Sequence, residues 1–597
     1  MIKFLGLLVL GMILAIASVA VAAQPLFVAY PPANHQTTAD RIFLIGTAPA
    51  TGDVSVNGNR ISRTAVGHFA PSFPLQIGEN LFTLRYENQE VKIQVKRQSN
   101  QPEVPVGLAF AKDSLTPKVA LASLPGEYIC FGAIAPVNAE VSVKLAGVTI
   151  PLKARSQVEL PDNKSVLLGE NSPIKKGGSE QYQGCAKTPA NSQLPNSKKV
   201  DLGVPLFELT MNDQTISQEG TGKISILSPA ELEVAEVTAE AGVARTGAST
   251  DFSRMTPLPK GTRATITGRE GEWIRLDYGA WIKASEVQIV KDAVPPRSII
   301  RSARSRQVPD WTEVLFPLEI PVPVTVQSGE KTFTLTLYNT TAQTDIIRLD
   351  DDPVISRLAW QQISPLQVQY TFNLKSDRQW GYKLRYDGTT LVLSLKHPPG
   401  KTSMMPMSQE KPLSGIKILL DPGHGGPQDS GGVGPTGYRE KTVALIVSKL
   451  VREELVNRGA NVVMTRVEDV DLDLAPRVEM IQKEAPAIAI SIHYNALPDN
   501  GDAINTKGVG AFWFHPQAHS LAMFLHNYLV AKLNRPSYGV FWNNLAMTRP
   551  AVAPSVLMEL GFMINPDEFE WIVNQTEQKK LAEAIAQGIT EWFASVQ

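Results

Sequence analysis

The pattern of apolar residues changes about two thirds of the way along the chain. Up to about residue 398, short runs alternate apolar and polar side chains between turns rich in glycine, asparagine and proline, which is typical of half-buried β-strands. From about residue 415, apolar runs of strand length alternate with segments of helical period. The chain therefore predicts several small all-β modules, followed by a C-terminal α/β domain with a mixed sheet flanked by helices.

The chain has 597 residues, which suggests roughly four domains at about 150 residues each. Its formal net charge of −1 gives no electrostatic reason to expect a nucleic-acid partner. A dense basic stretch holds Arg297, Arg301, Arg304 and Arg306 among proline and serine residues. We interpret it as a connector, with a patch for an anionic polymer as the alternative.

The amino terminus has the features of an export signal. Lys3 precedes an apolar run that closes on small residues near Ala22, which predicts a secretory signal peptide at residues 1–23. An uncleaved membrane anchor is the alternative, because the run approaches the length that spans a bilayer. After cleavage we expect no membrane span, and we expect the protein in the periplasm or cell envelope.

The two cysteines of the chain are Cys130 and Cys185. Export to an oxidising compartment makes a disulfide between them plausible, and two unpaired buried thiols are the alternative.

The β-rich part divides into four predicted modules, at residues 25–98, 105–225, 232–291 and 296–398. The first resembles bacterial immunoglobulin-like sandwiches, with the hairpin signal V-S-V-N-G. The third resembles bacterial SH3-like modules, which often contact cell-wall peptides. Its Trp273 and Trp281 suit either such a contact or a core.

Four polar residues lie at the ends of predicted strands or at the start of a predicted helix. His424 lies in D-P-G-H-G-G, Glu440 in G-Y-R-E-K, His493 in S-I-H-Y-N-A and Glu559 in M-E-L-G-F. Ligands of open sheets bind beyond the carboxyl ends of strands. Two imidazoles and a carboxylate suit Zn²⁺, and three protein ligands leave a fourth position open for a catalytic water.

Together these motifs identify residues 415–597 as similar to the zinc-dependent N-acetylmuramoyl-L-alanine amidases of the amidase 3 family. The resemblance implies that His424, Glu440 and His493 bind one zinc ion and that Glu559 is the catalytic acid and base. It implies cleavage of the amide between the lactyl group of N-acetylmuramic acid and L-alanine in peptidoglycan, by zinc-activated water. One departure is an extra residue near Pro427–Asp429.

The same resemblance extends upstream. Residues 296–398 end in G-Y-K-L-R-Y-D-G-T-T-L-V-L-S-L, similar to the amidase N-terminal targeting module, and residues 399–414 read as a linker. We expect this module and the SH3-like module to provide cell-wall contacts.

Weaker candidates, for contacts to the substrate or to the metal ligands, are Asn495 and Arg549, whereas His515, His519 and His526 are expected to pack on helices or lie at the surface. Some relatives carry a helix that covers the zinc. Here Leu497–Lys507 is too short for such a helix and its connections, so we expect control through localisation by the β modules.

Two other functions stay open from the sequence. A zinc peptidase or deacetylase would use the same residues on another amide. A wall-binding scaffold with a degenerate domain is the non-enzymatic alternative, although all four motif residues are present.

Overall fold

The computed structural model describes residues 25–99, 107–155, 158–161, 165–168, 172–175, 180–190, 199–290, 293–399 and 411–596. The expected signal peptide lies outside these residues, as does most of the expected linker. In the described ranges, no helix is long and apolar enough to cross a membrane.

The first β module, residues 25–99, has ten strands. They are β1 (Phe27–Tyr30), β2 (His35–Thr37), β3 (Arg41–Phe43), β4 (Ile45–Thr47), β5 (Val54–Val56), β6 (Asn59–Arg60), β7 (His68–Phe69), β8 (Ser72–Pro74), β9 (Gly78–Tyr86) and β10 (Gln89–Arg97). A five-stranded sheet in the order β2-β10-β9-β5-β6 packs with β1-β4-β7 and the pair β3-β8 around one apolar core. The hairpin predicted at Asn57 joins β5 to β6.

The second β module, residues 107–226, is built on a six-stranded sheet in the order β12-β17-β14-β13-β19-β20. Its strands are β11 (Leu121–Ser123), β12 (Tyr128–Ala135), β13 (Glu140–Leu145), β14 (Val148–Arg155), β15 (Val158–Glu159), β16 (Ile174–Lys175), β17 (Glu180–Lys187), β18 (Val200–Gly203), β19 (Leu206–Met211), β20 (Gln214–Glu219) and β21 (Ile224–Ile226). A disulfide joins Cys130 to Cys185, which lie opposite each other on β12 and β17.

The third β module, residues 234–290, shares a sheet with the second. Its strands are β22 (Val234–Val237), β23 (Ala241–Gly242), β24 (Leu258–Pro259), β25 (Arg263–Glu270), β26 (Trp273–Leu276), β27 (Trp281–Lys283) and β28 (Val287–Val290). Strand β25 pairs with β11, so β18, β21 and β11 continue into β25, β22 and β28. Trp273 is 6% exposed, whereas Trp281 is half-buried beneath the guanidinium of Arg275.

The fourth β module, residues 298–396, packs a five-stranded sheet on a four-stranded sheet around one core. Its strands are β29 (Ser298–Val308), β30 (Trp311–Pro317), β31 (Val324–Ser328), β32 (Thr332–Tyr338), β33 (Thr340–Arg348), β34 (Ile355–Ser364), β35 (Gln367–Leu374), β36 (Tyr382–Asp387) and β37 (Thr390–Lys396). The interpretation of the arginine-rich stretch as a connector is wrong, because Arg301, Arg304 and Arg306 lie on β29. Pairing with β30 and β33 orders this stretch, and Arg306 binds Glu313 at 2.6 Å.

The C-terminal domain, residues 411–596, is a mixed sheet with five helices. Its elements are β38 (Lys417–Pro422), α1 (Glu440–Asn457), β39 (Asn461–Met464), α2 (Leu474–Glu484), β40 (Ile488–Asn495), β41 (Val509–Trp513), α3 (Pro516–Leu533), β42 (Ser537–Trp542), β43 (Ser555–Phe562), α4 (Pro566–Ile572) and α5 (Gln575–Val596). The strand order is β39-β38-β40-β43-β41-β42, and β41 runs antiparallel to β43.

Alternate side chains of this sheet enter two different cores. Ile418 and Leu420 of β38 pack with α1, α3, α4 and α5, whereas Leu419 between them packs with Ile481 of α2 on the opposite face. The expected multidomain fold, with β-rich modules before a mixed sheet flanked by helices, is confirmed. The sequence did not predict α2 or the edge strand β42.

Candidate metal centre

Three side chains converge beyond the carboxyl ends of β38 and β40. Nε2 of His424 lies 3.1 Å from Oε1 of Glu440, and Nδ1 of His493 lies 3.0 Å from the same oxygen. One ligand atom from each residue lies within 4.8 Å of the others. The three residues that the motifs predicted as ligands are therefore brought together, from two strand ends and one helix start.

The turn after β38 aims His424 inward. His424 has a φ of 56°, a left-handed conformation that costs energy for a residue with a Cβ. Gly423 precedes it, and a Cβ there would lie 2.4 Å from the ring of His493. Glycine is needed at that position because the backbone passes directly against the second imidazole.

Glu440 is the first residue of α1 and is 3% exposed. Its Oε2 accepts a hydrogen bond from the Gly432 amide at 2.7 Å, and its Oε1 accepts one from the Tyr494 amide at 3.0 Å. Burial alone would raise the pKa of Glu440, but His424 and His493 outweigh it and hold that pKa below its usual range. The carboxylate is therefore fixed and ionised, as a ligand must be.

A buried network of charged and hydroxyl groups fixes the turn that carries His424. Asp421 accepts hydrogen bonds from Arg477 at 2.7 Å and from Thr465 and Ser491 at 2.5 Å each. Burial would raise the pKa of Asp421, but the Arg477 charge and the two hydroxyl groups lower it. Arg477 also donates to the carbonyl oxygen of His424 at 2.7 Å, so the network holds the backbone of the ligand itself.

A second carboxylate, Asp429, orients His424 from the solvent side. Its Oδ1 lies 2.6 Å from Nδ1 of His424, which leaves Nε2 for a metal. Burial would lower the pKa of His424, but Glu440 and then Asp429 raise it to about 9. The motifs did not predict a role for Asp429, although it lies in the stretch where the chain departs from the family pattern.

Glu559 lies on β43 directly opposite His493 on β40. Its Oε2 is buried and has no hydrogen-bond partner among the described residues. Burial and the negative charge of Glu440 raise the pKa of Glu559 well above its usual value. The surroundings of this carboxyl group therefore favour its protonated form.

Comparisons with known proteins identify the family of the C-terminal region. The N-acetylmuramoyl-L-alanine amidase family (amidase 3) matches residues 418–591. The "Germination-specific N-acetylmuramoyl-L-alanine amidase" of Bacillus subtilis is 34% identical over 199 residues, covering 30% of this chain and 81% of that protein. The chain belongs to this family.

Other known proteins are also similar to part of the chain. The "Probable cell wall amidase LytH" of Staphylococcus epidermidis is 35% identical over 185 residues, covering 31% of this chain and 60% of that protein. The chain thus spans about three fifths of the length of that relative. The catalytic domain of CwlV from Bacillus (Paenibacillus) polymyxa var. colistinus is 28% identical, with 30% of this chain and 99% of that chain covered and a TM-score of 0.29.

Of the two weaker candidates, Asn495 lies beside the cluster of His424, Glu440 and His493, and Arg549 does not. Asn495 ends β40, and its carbonyl oxygen accepts from the Met563 amide at 3.0 Å, so it is beside the site. Arg549 is not brought to the cluster. Its guanidinium bonds to Asn544, and its carbonyl oxygen lies 2.7 Å from Nε2 of His515.

The position of Arg549 follows from the strand directions. Arg549 precedes the start of β43, and Glu559 lies four residues further along that strand, about 13 Å at 3.3 Å per residue. The other two histidines of this region are also engaged elsewhere, His526 with Ser537 at 2.9 Å and His519 against the ring of Trp513.

The donor set fits a zinc ion. Two imidazole nitrogens and one carboxylate oxygen form the ligand set of a catalytic site with an open fourth position. Both imidazoles are partly exposed, at 24% for His424 and 16% for His493, so a substrate group has access. The unpartnered carboxyl group of Glu559 lies on the strand next to that of His493.

Proposed function

We propose that the protein is a zinc-dependent peptidoglycan hydrolase, which cleaves the amide between the lactyl group of N-acetylmuramic acid and L-alanine of the stem peptide. The observation that carries this proposal is the convergence of His424, Glu440 and His493 opposite the unpartnered carboxyl group of Glu559. Family membership supports the choice of this bond over other amides.

His424, Glu440 and His493 would hold the metal ion. A bound Zn²⁺ would supply Lewis-acid chemistry, polarising the substrate carbonyl and acidifying water. Asp429 and Arg477 keep His424 in place while the reaction proceeds, the first through Nδ1 and the second through the carbonyl oxygen.

Glu559 would move the proton. A nearby cation lowers the pKa of a carboxyl group, so Glu559 would be ionised in the loaded site and able to take a proton from the attacking water. Burial and the negative charge of Glu440 raise the pKa of Glu559, which supports a role in which it also carries the proton. It would then donate that proton to the departing amine of L-alanine, whose release completes the cleavage.

We further propose that the protein works outside the cytoplasm, in the periplasm or cell envelope, with peptidoglycan as its polymeric partner. The relatives whose printed names describe cell wall amidases support this location. The third and fourth β modules would hold the enzyme on the wall, as their resemblances imply.

The deciding experiment is mass spectrometry of the soluble products after the full chain acts on purified peptidoglycan. Variants are Glu559→Gln and the matched control Glu453→Gln, which makes the same change at an exposed position on α1. We expect free stem peptides beginning with L-alanine from wild type with zinc and from Glu453→Gln. We expect them to fall by at least about a thousandfold in Glu559→Gln and with chelator.

A glycan that stays fully substituted while zinc is bound would contradict the proposal. Release of other products by the same residues would then assign a peptidase or deacetylase. Wall binding without any cleavage would assign a scaffold.

A further inference from the structure

The first β module packs against the C-terminal domain beside the metal centre. An apolar cluster crosses the boundary between them and leaves at most 3% of any buried member exposed. Its buried members are Phe43, Ile45 and Ala70 from the module and Ala503, Phe562 and Ile564 from the C-terminal domain.

The sequence of the module indicates that this face of the module is buried. Residues 42–45 form the uninterrupted apolar run Ile-Phe-Leu-Ile. Ile42 and Leu44 enter the module's own core, whereas Phe43 and Ile45 point into the cluster shared with the C-terminal domain. A strand with one solvent face would alternate apolar and polar residues, so this run fits a segment that is buried on both faces.

A polar contact lies at the edge of the same interface. Nε2 of His35 lies 2.9 Å from Oδ2 of Asp499, and the hydroxyl of Tyr30 donates to Oδ1. The side chains of His35 and Asp499 are only 19% and 17% exposed. Two side chains of the module therefore converge on one carboxylate of the C-terminal domain.

Three segments next to the metal centre lie against the module: the loop after His493, the end of the Glu559 strand and the loop before Glu440. Asp499 and Ala503 lie in the 497–507 loop, which follows the His493 motif and consists of turns. Phe562 ends the strand of Glu559. On the loop that leads to Glu440, a Cβ at Gly437 would lie 3.3 Å from the ring of Phe27.

The two backbone segments under the module are also tied to each other. The Met563 amide donates to the carbonyl oxygen of Asn495 at 3.0 Å, and the side chain of Asn565 donates to the carbonyl oxygens of Ile504 and Thr506. Contacts that restrict the motion of the 497–507 loop therefore also restrict the ends of β40 and β43.

We infer that the first β module is a fixed part of the metal centre's support, and that Tyr30 and His35 are positioning residues that hold the loop after His493 through Asp499. The docked module leaves both imidazoles accessible, so it supports the site without closing it. Of the two measurements that test this inference, zinc affinity rests on the proposed metal site and hydrogen exchange does not.

The test is hydrogen exchange of the full chain, followed by mass spectrometry, together with zinc affinity measured by competition with a chelator. The variants are His35→Ala, Tyr30→Phe and their combination. We expect amide exchange in residues 497–507 to become about tenfold faster in the combination. We expect the zinc dissociation constant to rise by about tenfold, as for lost supports of metal ligands.

Three controls make the result specific. Arg85→Ala breaks an exposed ion pair of the same module, with Glu90, and should change neither measurement. His35→Gln retains a neutral donor and should restore most of the protection. Exchange in the β9–β10 hairpin must stay slow in every variant, which shows that the module itself remains folded.

Unchanged exchange in residues 497–507 together with unchanged zinc affinity in the combined variant would overturn the assignment of Tyr30 and His35 as positioning residues. A second variant covers the case in which the polar contact is too weak to matter. Ile45→Glu places a charge in the apolar cluster and should undock the module, giving larger changes of the same kind. If Ile45→Glu leaves both measurements unchanged while β9–β10 stays protected, the module has no positioning role. If the proposed amide cleavage proved wrong, the expected changes in hydrogen exchange and zinc affinity would still be observed.

Discussion

The C-terminal domain and the second β module differ in what they bury. Among the described residues, the C-terminal domain buries charged side chains, including Asp421, Glu440, Arg466 and Arg477. The polar side chains that the second module buries are hydroxyl groups, and a disulfide links its strands β12 and β17.

The two domains are stabilised by different means. Buried ion pairs contribute little net stability, because desolvation of both charges offsets their attraction. The C-terminal domain retains them directly beneath the His424 turn, where they fix backbone carbonyl groups. The second module has no such site in its described residues, and a covalent link restricts its unfolded chain instead.

The largest expected effect is at the buried ion pair. Arg477→Met would leave Asp421 charged, buried and without its cation, which costs about 3–5 kcal/mol. Hydrogen exchange of the C-terminal domain under mild denaturant measures this loss. Lys449→Met, at an exposed position of α1, is the matched control and should stay close to wild type. A variant as stable as wild type would mean that the network is not required for folding.

The disulfide gives the next effect. The separation of 55 residues between Cys130 and Cys185 corresponds to about 4 kcal/mol in the chain-entropy model. A double substitution to serine should therefore speed exchange in β12 and β17, and leave the C-terminal domain unchanged. Equal destabilisation of both regions would show that the second module and the C-terminal domain unfold together, and the comparison between them would fail.

The sequence predicted the site because its signals are local. His424 follows the apolar strand β38, His493 lies near the carboxyl end of the apolar strand β40, and Glu440 begins a helix with a clear apolar face. In an open sheet the carboxyl ends of such strands meet at one edge, so the cluster followed from strand order. Arg549 was a candidate without such a signal, and it lies away from the cluster because it precedes the amino end of β43.

The contacts between modules could not be predicted in this way. Strand β11 has only three residues, too few to show a period, yet it joins the second module to the third. The cluster around Phe43 depends on residues more than 450 positions apart, and no local pattern says which domain covers an apolar face. The apolar run at residues 42–45 was the one visible signal.

The buried side chain of Lys396 tests how much the burial of a positive charge costs in stability. Lys396 ends β37 and donates to the carbonyl oxygens of Ala485 and Val552 in the C-terminal domain. Burial, and then the charge of Lys383, lower the pKa of Lys396 to about 7. Between pH 7 and about 10 the unfolded chain holds this proton and the folded chain does not, so stability rises with pH by up to about 1.4 kcal/mol per unit.

Lys396→Met should remove that rise, and should stabilise the protein most below pH 7, where the folded state carries the buried charge. Thermal unfolding at several pH values measures it. Lys331→Met, at an exposed position in the same module, should keep the wild-type pH dependence. A rise that survives in Lys396→Met would assign the pH dependence to another group.

The smallest effect belongs to an exposed ion pair of the second β module. Lys144 binds Glu208 at 2.8 Å across β13 and β19, but the lysine side chain is 51% exposed. Water screens such a pair, so Lys144→Ala should cost less than about 1 kcal/mol by exchange in β13. A loss as large as that of Arg477→Met would mean that charge pairs stabilise both domains alike. A small loss leaves burial, rather than charge itself, as the property that separates the site-bearing domain from the module.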